Sequence, residues 1–161
     1  MTDVEARKSH TPRPTLGLDG AEAHEAEHAI DLLVRDLQTG WDTHDPDVTD
    51  RRLGGDVLWG SPFGATVCGY SRLHEIHVRL KRTGVGGRSS RFEVVQYLTP
   101  ARGIVIVHVR RTALDEGDTP VAPTEGAAPP FSEMALYVLV QRDGDWWVAA
   151  GQNTPISPAA P

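Results

Sequence analysis

The dipeptide Asp143-Gly144 restricts the fold of this chain more than any other feature of its sequence. It separates two largely apolar segments, 135–141 and 146–153, and an Asp-Gly pair is typical of the tight left-handed turn of a two-residue β-hairpin. The two segments are therefore predicted to pair as antiparallel neighbours. The rest of the chain is expected to cover the sheet that they begin.

Three segments before this hairpin predict helices. Apolar residues follow helical spacing over residues 19–41, and Asp19 is placed to cap that helix. A short second helix begins at Asp45-Pro46 and ends near residue 53, because proline fits the first position of a helix. The third helix covers residues 70–82 and has one apolar face.

Three further segments predict strands, at residues 56–60, 88–98 and 103–114. The last of them is rich in β-branched residues, which pack well on a pleated surface. The turn at residues 61–64 closes the first strand, and Thr99-Pro100 closes the second. The sheet is therefore expected to contain these three strands beside the hairpin.

Helices followed by antiparallel strands describe an α+β domain, in which three N-terminal helices pack on one face of a curved antiparallel sheet. Residues 19–154 are predicted to form this domain, with disordered tails at residues 1–18 and 155–161. The proline- and glycine-rich segment 115–130 predicts a flexible excursion from one end of the sheet. A cavity between the helices and the concave sheet is a usual place for a small-molecule site.

The net charge and composition exclude several classes of function. A chain of 161 residues suits one domain, and a net charge of -6 offers no basic patch for DNA or RNA. The N-terminal segment lacks the apolar stretch of a signal peptide, and no apolar run approaches the ~18 residues of a membrane span. We expect a soluble cytoplasmic protein without a nucleic-acid or membrane partner. Its single cysteine, Cys68, is expected to be a small buried residue rather than a reactive thiol.

Residues His24-Glu25-Ala26-Glu27-His28 match the HExxH pattern of zinc proteases, in which two histidines one turn apart bind the metal. With Ile30 at the centre of the apolar face, about 100° per residue places His24 at ~120° and His28 at ~160°. Both imidazoles are predicted to point to solvent, whereas zinc ligands must converge on an enclosed cleft. No metal site is expected.

Two other histidines are candidates for acid–base chemistry. His77 shares the apolar face of the third helix, and a buried imidazole needs a partner and can titrate near neutrality. The alternative is a hydrogen-bonded core histidine without a catalytic role. His74 lies on the border of the same face. His108 belongs to the β-branched strand and is equally compatible with the cavity wall and with the outer face of the sheet.

Aromatic side chains complete the predicted site. Trp41 ends the apolar stripe of the first helix, and Trp59 and Phe63 stand beside the turn that follows the first strand. These side chains can line the mouth of a cavity, and core packing is the alternative role for the tryptophans. We therefore treat all three as candidate ligand-binding residues.

The last strand contributes an amide from Gln152 or Asn153. Strand side chains alternate between faces, so only one of these two faces the cavity. By this parity Asn153 shares a face with Trp147, and Gln152 shares the other face with Trp146, although a β-bulge would reverse the assignment. We favour Asn153 as the donor opposite His77.

Four short motifs carry a resemblance to a known family. Trp41-Asp42-Thr43-His44-Asp45 closes the first helix, and Gly55-Asp56-Val57-Leu58-Trp59 precedes a Pro-x-Gly turn. Gly69 is followed eight residues later by His77, and the domain closes on Ala150-Gly151-Gln152-Asn153-Thr154. Over residues 21–154 they resemble the nuclear transport factor 2-like superfamily, specifically its SnoaL-like group of small proteins associated with polyketide and enediyne biosynthesis. The resemblance implies a cone-shaped α+β barrel, a cavity for an apolar or polycyclic molecule, and a homodimer through the outer sheet face.

That superfamily includes ketosteroid isomerases, cyclases, dehydratases, hydrolases and members without a reaction, so the fold assigns no activity. Ser61 stands where the isomerase pattern has its aspartate base, and the first helix contains no tyrosine to match the isomerase donor. The prediction is a protein that binds a polyketide-type metabolite or transforms it by cofactor-free acid–base catalysis, as an isomerase, cyclase or dehydratase, with His77 and His108 as catalytic candidates. The alternative is a non-catalytic dimeric structural or interaction protein whose cavity is filled by its own tryptophans.

Overall fold

The computed structural model describes residues 12–84, 89–121 and 132–156. The helices are α1 (Ala21–Asp42), α2 (Pro46–Thr49) and α3 (Tyr70–Arg82), and the strands are β1 (Leu53–Gly60), β2 (Thr66–Cys68), β3 (Ser90–Ala101), β4 (Ile104–Ala113), β5 (Glu133–Arg142) and β6 (Asp145–Pro155). The six strands form one curved, unclosed sheet in the order β2-β1-β6-β5-β4-β3. The helices pack on its concave face, with α1 against β3 and β4 and α3 against β1 and β2. The predicted α+β class is confirmed.

The hairpin of β5 and β6 forms as the Asp-Gly pair predicts. Asp143 and Gly144 both have positive φ angles, 54° and 85°, which are those of a left-handed two-residue turn. The antiparallel register opposes Tyr137 to Gly151 and Ala135 to Asn153. The C-terminal strand therefore pairs with β5 along its whole length.

One pairing in the sheet departs from the prediction of a fully antiparallel sheet. Strand β1 pairs with β6 in parallel, with Trp59 opposite Gly151, so the sheet is mixed. The contact joins the first strand of the chain to the last. No local turn signal reports such a pairing, because the two strands are connected through all the elements between them.

Several boundaries also differ from the predicted ones. Helix α1 begins after Gly20, which has a φ of 76°, and no side chain caps it, so the expected cap at Asp19 is absent. Strand β3 continues past Thr99-Pro100, where a register shift between Leu98 and Ala101 accommodates the proline. Strand β2 was not predicted. Its last residue, Cys68, is exposed, so the prediction of a buried cysteine is wrong.

Parts of the predicted tails and excursion lie outside the described residues, namely 1–11, 122–131 and 157–161. Within the described part, the backbone N–H of Leu18 donates to the Thr99 carbonyl at 2.8 Å. The start of the excursion is a turn in which the Asp115 carboxylate accepts from the backbone N–H groups of Gly117 and Thr119, each at 2.9 Å. None of the helices α1 to α3 has the length and hydropathy that a bilayer crossing needs.

The core lies between α1 and the concave face of the sheet. Its largest fully buried side chains come from α1, α3 and the inward positions of four strands: Leu33, Leu73, Val57, Val105, Val107, Val109, Leu139 and Val148. Asp36 on α1 is buried at the edge of this core and accepts from Arg52 Nε at 2.8 Å. This ion pair ties α1 to the chain that leads into β1.

Helix α1 approaches α2 most closely at Gly40, which is buried. A Cβ atom there would lie 2.5 Å from the Thr49 backbone nitrogen and 2.9 Å from the Asp45 carbonyl oxygen, and it would also contact the Thr49 hydroxyl. The glycine is therefore a site of close packing between two backbones. It does not end the helix, which continues to Asp42.

Candidate functional site

A cavity of about 420 Å³ lies between the helices and the concave face of the sheet. Apolar side chains from α1, α3 and the inward strand positions form most of its wall, among them Leu33, Leu37, Leu73, Val109 and Val148. Polar side chains also reach it, among them Asp50 after α2, His77 and Lys81 on α3, Arg111 and Glu133 on neighbouring strands, and Tyr137 and Asn153 on the hairpin. Mostly apolar walls with a few convergent polar groups are typical of small-molecule sites.

Asp50 is the centre of a buried hydrogen-bond cluster. It is the C-cap residue of α2, and only 1% of its surface is exposed. Its Oδ1 lies 2.7 Å from His77 Nδ1, and its Oδ2 lies 2.9 Å from His74 Nδ1. Histidines at i and i+3 share one face of α3, so a single carboxylate can engage both. The carboxylate thus anchors α3 to the chain segment between α2 and β1.

The two histidines differ in what surrounds the second ring nitrogen. His74 Nε2 lies 3.1 Å from Asp47 Oδ1, so this ring has a carboxylate oxygen at both nitrogens. A His77 tautomer that donates from Nδ1 to the Asp50 carboxylate carries its lone pair on Nε2. Because His77 also lines the cavity, it can accept a proton from a bound molecule.

Aromatic rings hold these imidazoles in place. Tyr70 stacks on His74 with ring centroids 5.2 Å apart and an interplanar angle of 8°. Trp59 meets His77 edge to face at 6.1 Å, and its other side packs against Tyr137 at 5.8 Å. Rings in such contacts have few alternative rotamers in a packed interior. His77 therefore approaches the cavity in one defined orientation.

A second polar group lies at Trp41, where two cations contact one indole ring. Lys81 Nζ lies 4.2 Å from the ring centroid, and Arg111 Cζ lies 4.6 Å from it. Arg111 is paired, since its Nη2 lies 2.9 Å from Glu133 Oε2. Burial, and then the charge of Arg111, lowers the pKa of Lys81, while Asp50 and Asp42 act in the opposite direction.

Five of the seven predicted site residues line the cavity: His77, Trp41, Trp59, Phe63 and Asn153. Phe63 does so from the rim, with 72% of its surface exposed. Gln152 is outside the cavity and donates to the Ser61 carbonyl at 3.3 Å and to the Asn153 carbonyl at 2.9 Å. The amide that reaches the cavity is Asn153.

The structure places His108 away from the cavity, although the sequence made it a catalytic candidate. It alternates along β4 with Val107 and Val109, which are buried, and its own side chain is exposed on the opposite face of the sheet. It is not among the side chains that line the cavity. The sequence was compatible with the cavity wall and with the outer face of the sheet, and the structure places His108 on the outer face.

The side chains of β6 follow a parity that a β-bulge reverses. Val148 pairs with Leu139 and Ala150 with Val138, so one extra residue is inserted at Ala149. Before the bulge, Trp147 points outward and is 39% exposed, while Trp146 packs against the core. After it, Asn153 faces inward. Simple alternation would have put Trp147 and Asn153 on the same face.

His24 and His28 are both exposed on α1, as the helical-wheel argument predicts. The His24 ring contacts Glu27 at 3.3 Å and has 90% of its side-chain surface in solvent. Within residues 12–84, 89–121 and 132–156, no three His, Cys, Asp or Glu side chains come together as a metal site would require. The HExxH pattern is here a solvated helix face.

The predicted site residues did not include several polar residues of the cavity, among them Asp50, Lys81, Arg111, Glu133 and Tyr137. The sequence contained a signal for two of these residues. Lys81 follows His77 by four residues and so shares its helix face, and Tyr137 shares the strand face of the inward Ala135 and Leu139. Asp50 has no local signal, because its role depends on a helix that begins twenty residues later.

Tyr137 supplies a prediction about alkaline pH. Burial, followed by the charge of Glu133, raises the pKa of its phenol above the ordinary value of 10.0. Above that pH the unfolded phenol loses its proton while the folded one retains it, so the free energy of unfolding falls as pH rises toward the folded pKa. Urea denaturation across this range should show a shallower fall in Tyr137→Phe than in the wild-type protein.

The comparison variant for this titration is Tyr97→Phe. The hydrogen bond to Glu27 at 2.6 Å also raises the pKa of the Tyr97 phenol, but this side chain is more exposed, so its effect on stability should be smaller. Burial lowers the pKa of Lys81, but this residue is common to all three proteins, so its contribution cancels in the comparison. An alkaline fall in Tyr137→Phe as steep as that of the wild-type protein would contradict the prediction.

Comparison with known proteins places this arrangement in a fold class. No family model matches the chain, and no curated protein matches it. Among solved structures, a domain of unknown function with a cystatin-like fold from Nostoc punctiforme superposes with a TM-score of 0.69 at 16% identity, covering 86% of this chain and 81% of that one. A ketosteroid isomerase-like protein from Erwinia carotovora atroseptica gives 0.61 at 16% identity, covering 87% and 100%. An NTF2-like protein from Cytophaga hutchinsonii gives 0.57 at 22% identity, covering 82% and 98%.

These likenesses show a shared fold. The chain has the NTF2-like, cystatin-like α+β fold, with helices covering the concave face of a curved sheet. The narrower SnoaL-like resemblance stays a prediction from the sequence motifs. Because this fold serves many chemistries, the function has to be argued from the cavity itself.

Proposed function

We propose that this protein binds a small, largely apolar metabolite in its cavity and transfers a proton on it without a cofactor, with His77 as the base. The observation that carries the proposal is the 2.7 Å contact between His77 Nδ1 and buried Asp50 Oδ1, because it leaves Nε2 available in a cavity-lining imidazole. A carboxylate that holds a histidine in one tautomer and stabilises its imidazolium is a recurrent arrangement in acid–base catalysis.

The size of the cavity favours this proposal over a protein that only interacts with partners. Ligand sites start at roughly 300 Å³, and the cavity here has about 420 Å³. Trp41 and Trp59 lie in its wall and leave that volume open. A structural protein whose tryptophans fill the cavity is therefore the less favoured alternative.

The polar groups around the cavity suggest how a carbonyl compound would react. His77 would remove a proton from the carbon beside the carbonyl. The phenol of Tyr137, which its raised pKa keeps protonated, and the amide of Asn153 are donors available to the oxygen. Ser61 replaces the isomerase base, so the proton would leave from a different side of the cavity. Enolisation of this kind is a step shared by isomerisation, cyclisation and dehydration of polyketide-type molecules.

We also propose a homodimer through the outer face of the sheet. Apolar side chains remain exposed on that face, among them Leu58 at 59%, Leu98 at 38% and Trp147 at 39%. A large exposed apolar surface on a sheet is typical of a protein interface. Native mass spectrometry of protein purified from its own host tests this directly and also detects a retained metabolite; a monomer at micromolar concentration would count against the dimer.

The experiment for catalysis uses an apolar ketone, 2-tetralone, in deuterium oxide. Proton NMR follows the loss of its α-hydrogens with the wild-type protein, with His77→Ala and with His28→Ala, which removes an exposed imidazole as a control. We expect His77→Ala to lose roughly 10²- to 10⁴-fold of the acceleration, and His28→Ala to retain it. Circular dichroism checks that each variant is folded.

Equal rates of α-hydrogen exchange with the wild-type protein and with His77→Ala would contradict the assignment of His77 as the base. If 2-tetralone binds but the wild-type protein gives only the buffer rate, the chain is a binding protein and the catalytic half of the proposal is wrong.

A further inference from the structure

Lys81 is a charged group of the cavity wall that the proposed proton transfer does not use. Its Nζ atom is enclosed, and it has no hydrogen-bond partner within the described part of the chain. The side chain lines the cavity from α3, one turn after His77. An enclosed ammonium without an acceptor is unusual, because ionised donors in protein interiors are normally paired.

The neighbouring polar side chains already have partners. Asp50 accepts from two histidines, Arg111 pairs with Glu133, and Arg111 Nη1 also donates to Ser90 Oγ at 3.2 Å. The face of the Trp41 ring stabilises the charge of Lys81 in part through a cation–π contact. This contact offers no lone pair to the three ammonium hydrogens, which therefore have no oxygen acceptor among the described residues.

We infer that the cavity selects ligands that carry a carboxylate, bound to Lys81 Nζ, with the apolar remainder of the molecule along the wall toward His77. A carboxylate supplies such an acceptor with one negative charge, whereas a phosphate dianion would bring a second charge into an apolar enclosure. The inference rests on the proposed function, since the apolar part of the ligand needs the same cavity.

The spacing on α3 gives the carboxylate a positioning role. Side chains at i and i+4 start roughly 5–6 Å apart on a helix, and His77 and Lys81 stand in that relation. An acid held at Lys81 therefore presents a carbon several bonds from its carboxylate to the His77 imidazole. The substrate class is an apolar carboxylic acid that reacts at a carbon remote from the acid group.

The experiment compares two ligands of the same shape, 2-naphthoate and its neutral amide 2-naphthamide, by isothermal titration calorimetry at neutral pH. We expect the wild-type protein to prefer the naphthoate by at least about tenfold, since hydrogen bonds to charged groups exceed neutral ones by that order. Lys81→Met keeps the apolar contact with Trp41 and should remove the preference, while Lys81→Arg should retain it. Arg79→Met removes a charge from the exposed side of α3, away from the cavity wall, and should change nothing.

The outcomes separate this inference from the proposed function. If both ligands bind the wild-type protein equally, the cavity binds apolar molecules and the role of Lys81 is wrong. A naphthoate preference that persists in Lys81→Met would overturn the inference as well. If neither ligand binds any of the folded proteins, both the binding proposal and the inference fail.

Discussion

Replacing Asp50 with alanine is expected to lower the free energy of unfolding by about 3 kcal/mol, because removing one partner from a buried ionic cluster leaves the others without compensation. Asp50 is 1% exposed and accepts from His74 at 2.9 Å and from His77 at 2.7 Å. Without it, both Nδ1 atoms lose their acceptor, and α3 loses its polar connection to the end of α2. Urea denaturation followed by circular dichroism measures this loss.

The same cluster allows the effect on stability to be separated from the effect on catalysis. Asp50→Asn retains the shape and one acceptor oxygen, so it should lose less stability than Asp50→Ala, but its neutral amide no longer stabilises a His77 imidazolium. We expect its rate of 2-tetralone exchange to fall by roughly 10²-fold or more. The control is Asp47→Asn, since Asp47 is exposed and contacts only the outer nitrogen of His74. An Asp50→Ala protein within 1 kcal/mol of the wild-type stability, on the order of one lost surface contact, would contradict the structural role.

Gly40→Ala is expected to destabilise the protein by about 2–3 kcal/mol, although alanine is the better helix former. The added methyl would meet the backbone nitrogen of Thr49 at 2.5 Å and the carbonyl oxygen of Asp45 at 2.9 Å. Backbone atoms cannot rotate away as a side chain can, so α1 and α2 would have to separate. Because Asp50 follows Thr49 directly, that separation would also displace the carboxylate that holds His77.

Thr39→Ala is the matched control, since Thr39 is the exposed neighbour of Gly40 in the same helix. Its replacement should be neutral or stabilise slightly, by a few tenths of a kcal/mol, through helix propensity alone. Urea midpoints of the two variants give the comparison. Equal stability of Gly40→Ala and Thr39→Ala would show that the two helices can move apart at little cost.

The cluster of Asp50 with His74 and His77 illustrates how far sequence reasoning reaches in this protein. His77 could be singled out because the apolar period of α3 places it on an inward face, and the structure puts it on the cavity wall. Its partner Asp50 could not be found, because a helix wheel describes one element and says nothing about the chain segment packed against it. The same helical wheel could have identified Lys81, but only the structure shows that its ammonium has no acceptor among residues 12–84, 89–121 and 132–156.

The last strand combines a pairing that the sequence predicts with a side-chain orientation that only the structure shows. The pairing of β6 with β5 follows from Asp143 and Gly144 and could be predicted. Which amide faces inward depends on the bulge at Ala149, where the inner face of the sheet has to match both β5 and β1. Alternation alone therefore grouped Asn153 with the wrong tryptophan, even though Asn153 is the amide that reaches the cavity.

By itself the sequence determined the helices, the terminal hairpin and the α+β class, because hydrophobic periods and turn residues act over a few neighbouring positions. The tertiary structure decided the parallel contact of β1 with β6, the outer position of His108, the convergence of Asp50 with two histidines and the isolation of Lys81. Each of these depends on the relative placement of elements distant in the chain. Such contacts are selected by packing and by hydrogen-bond satisfaction in the interior, and neither is a property of any one segment.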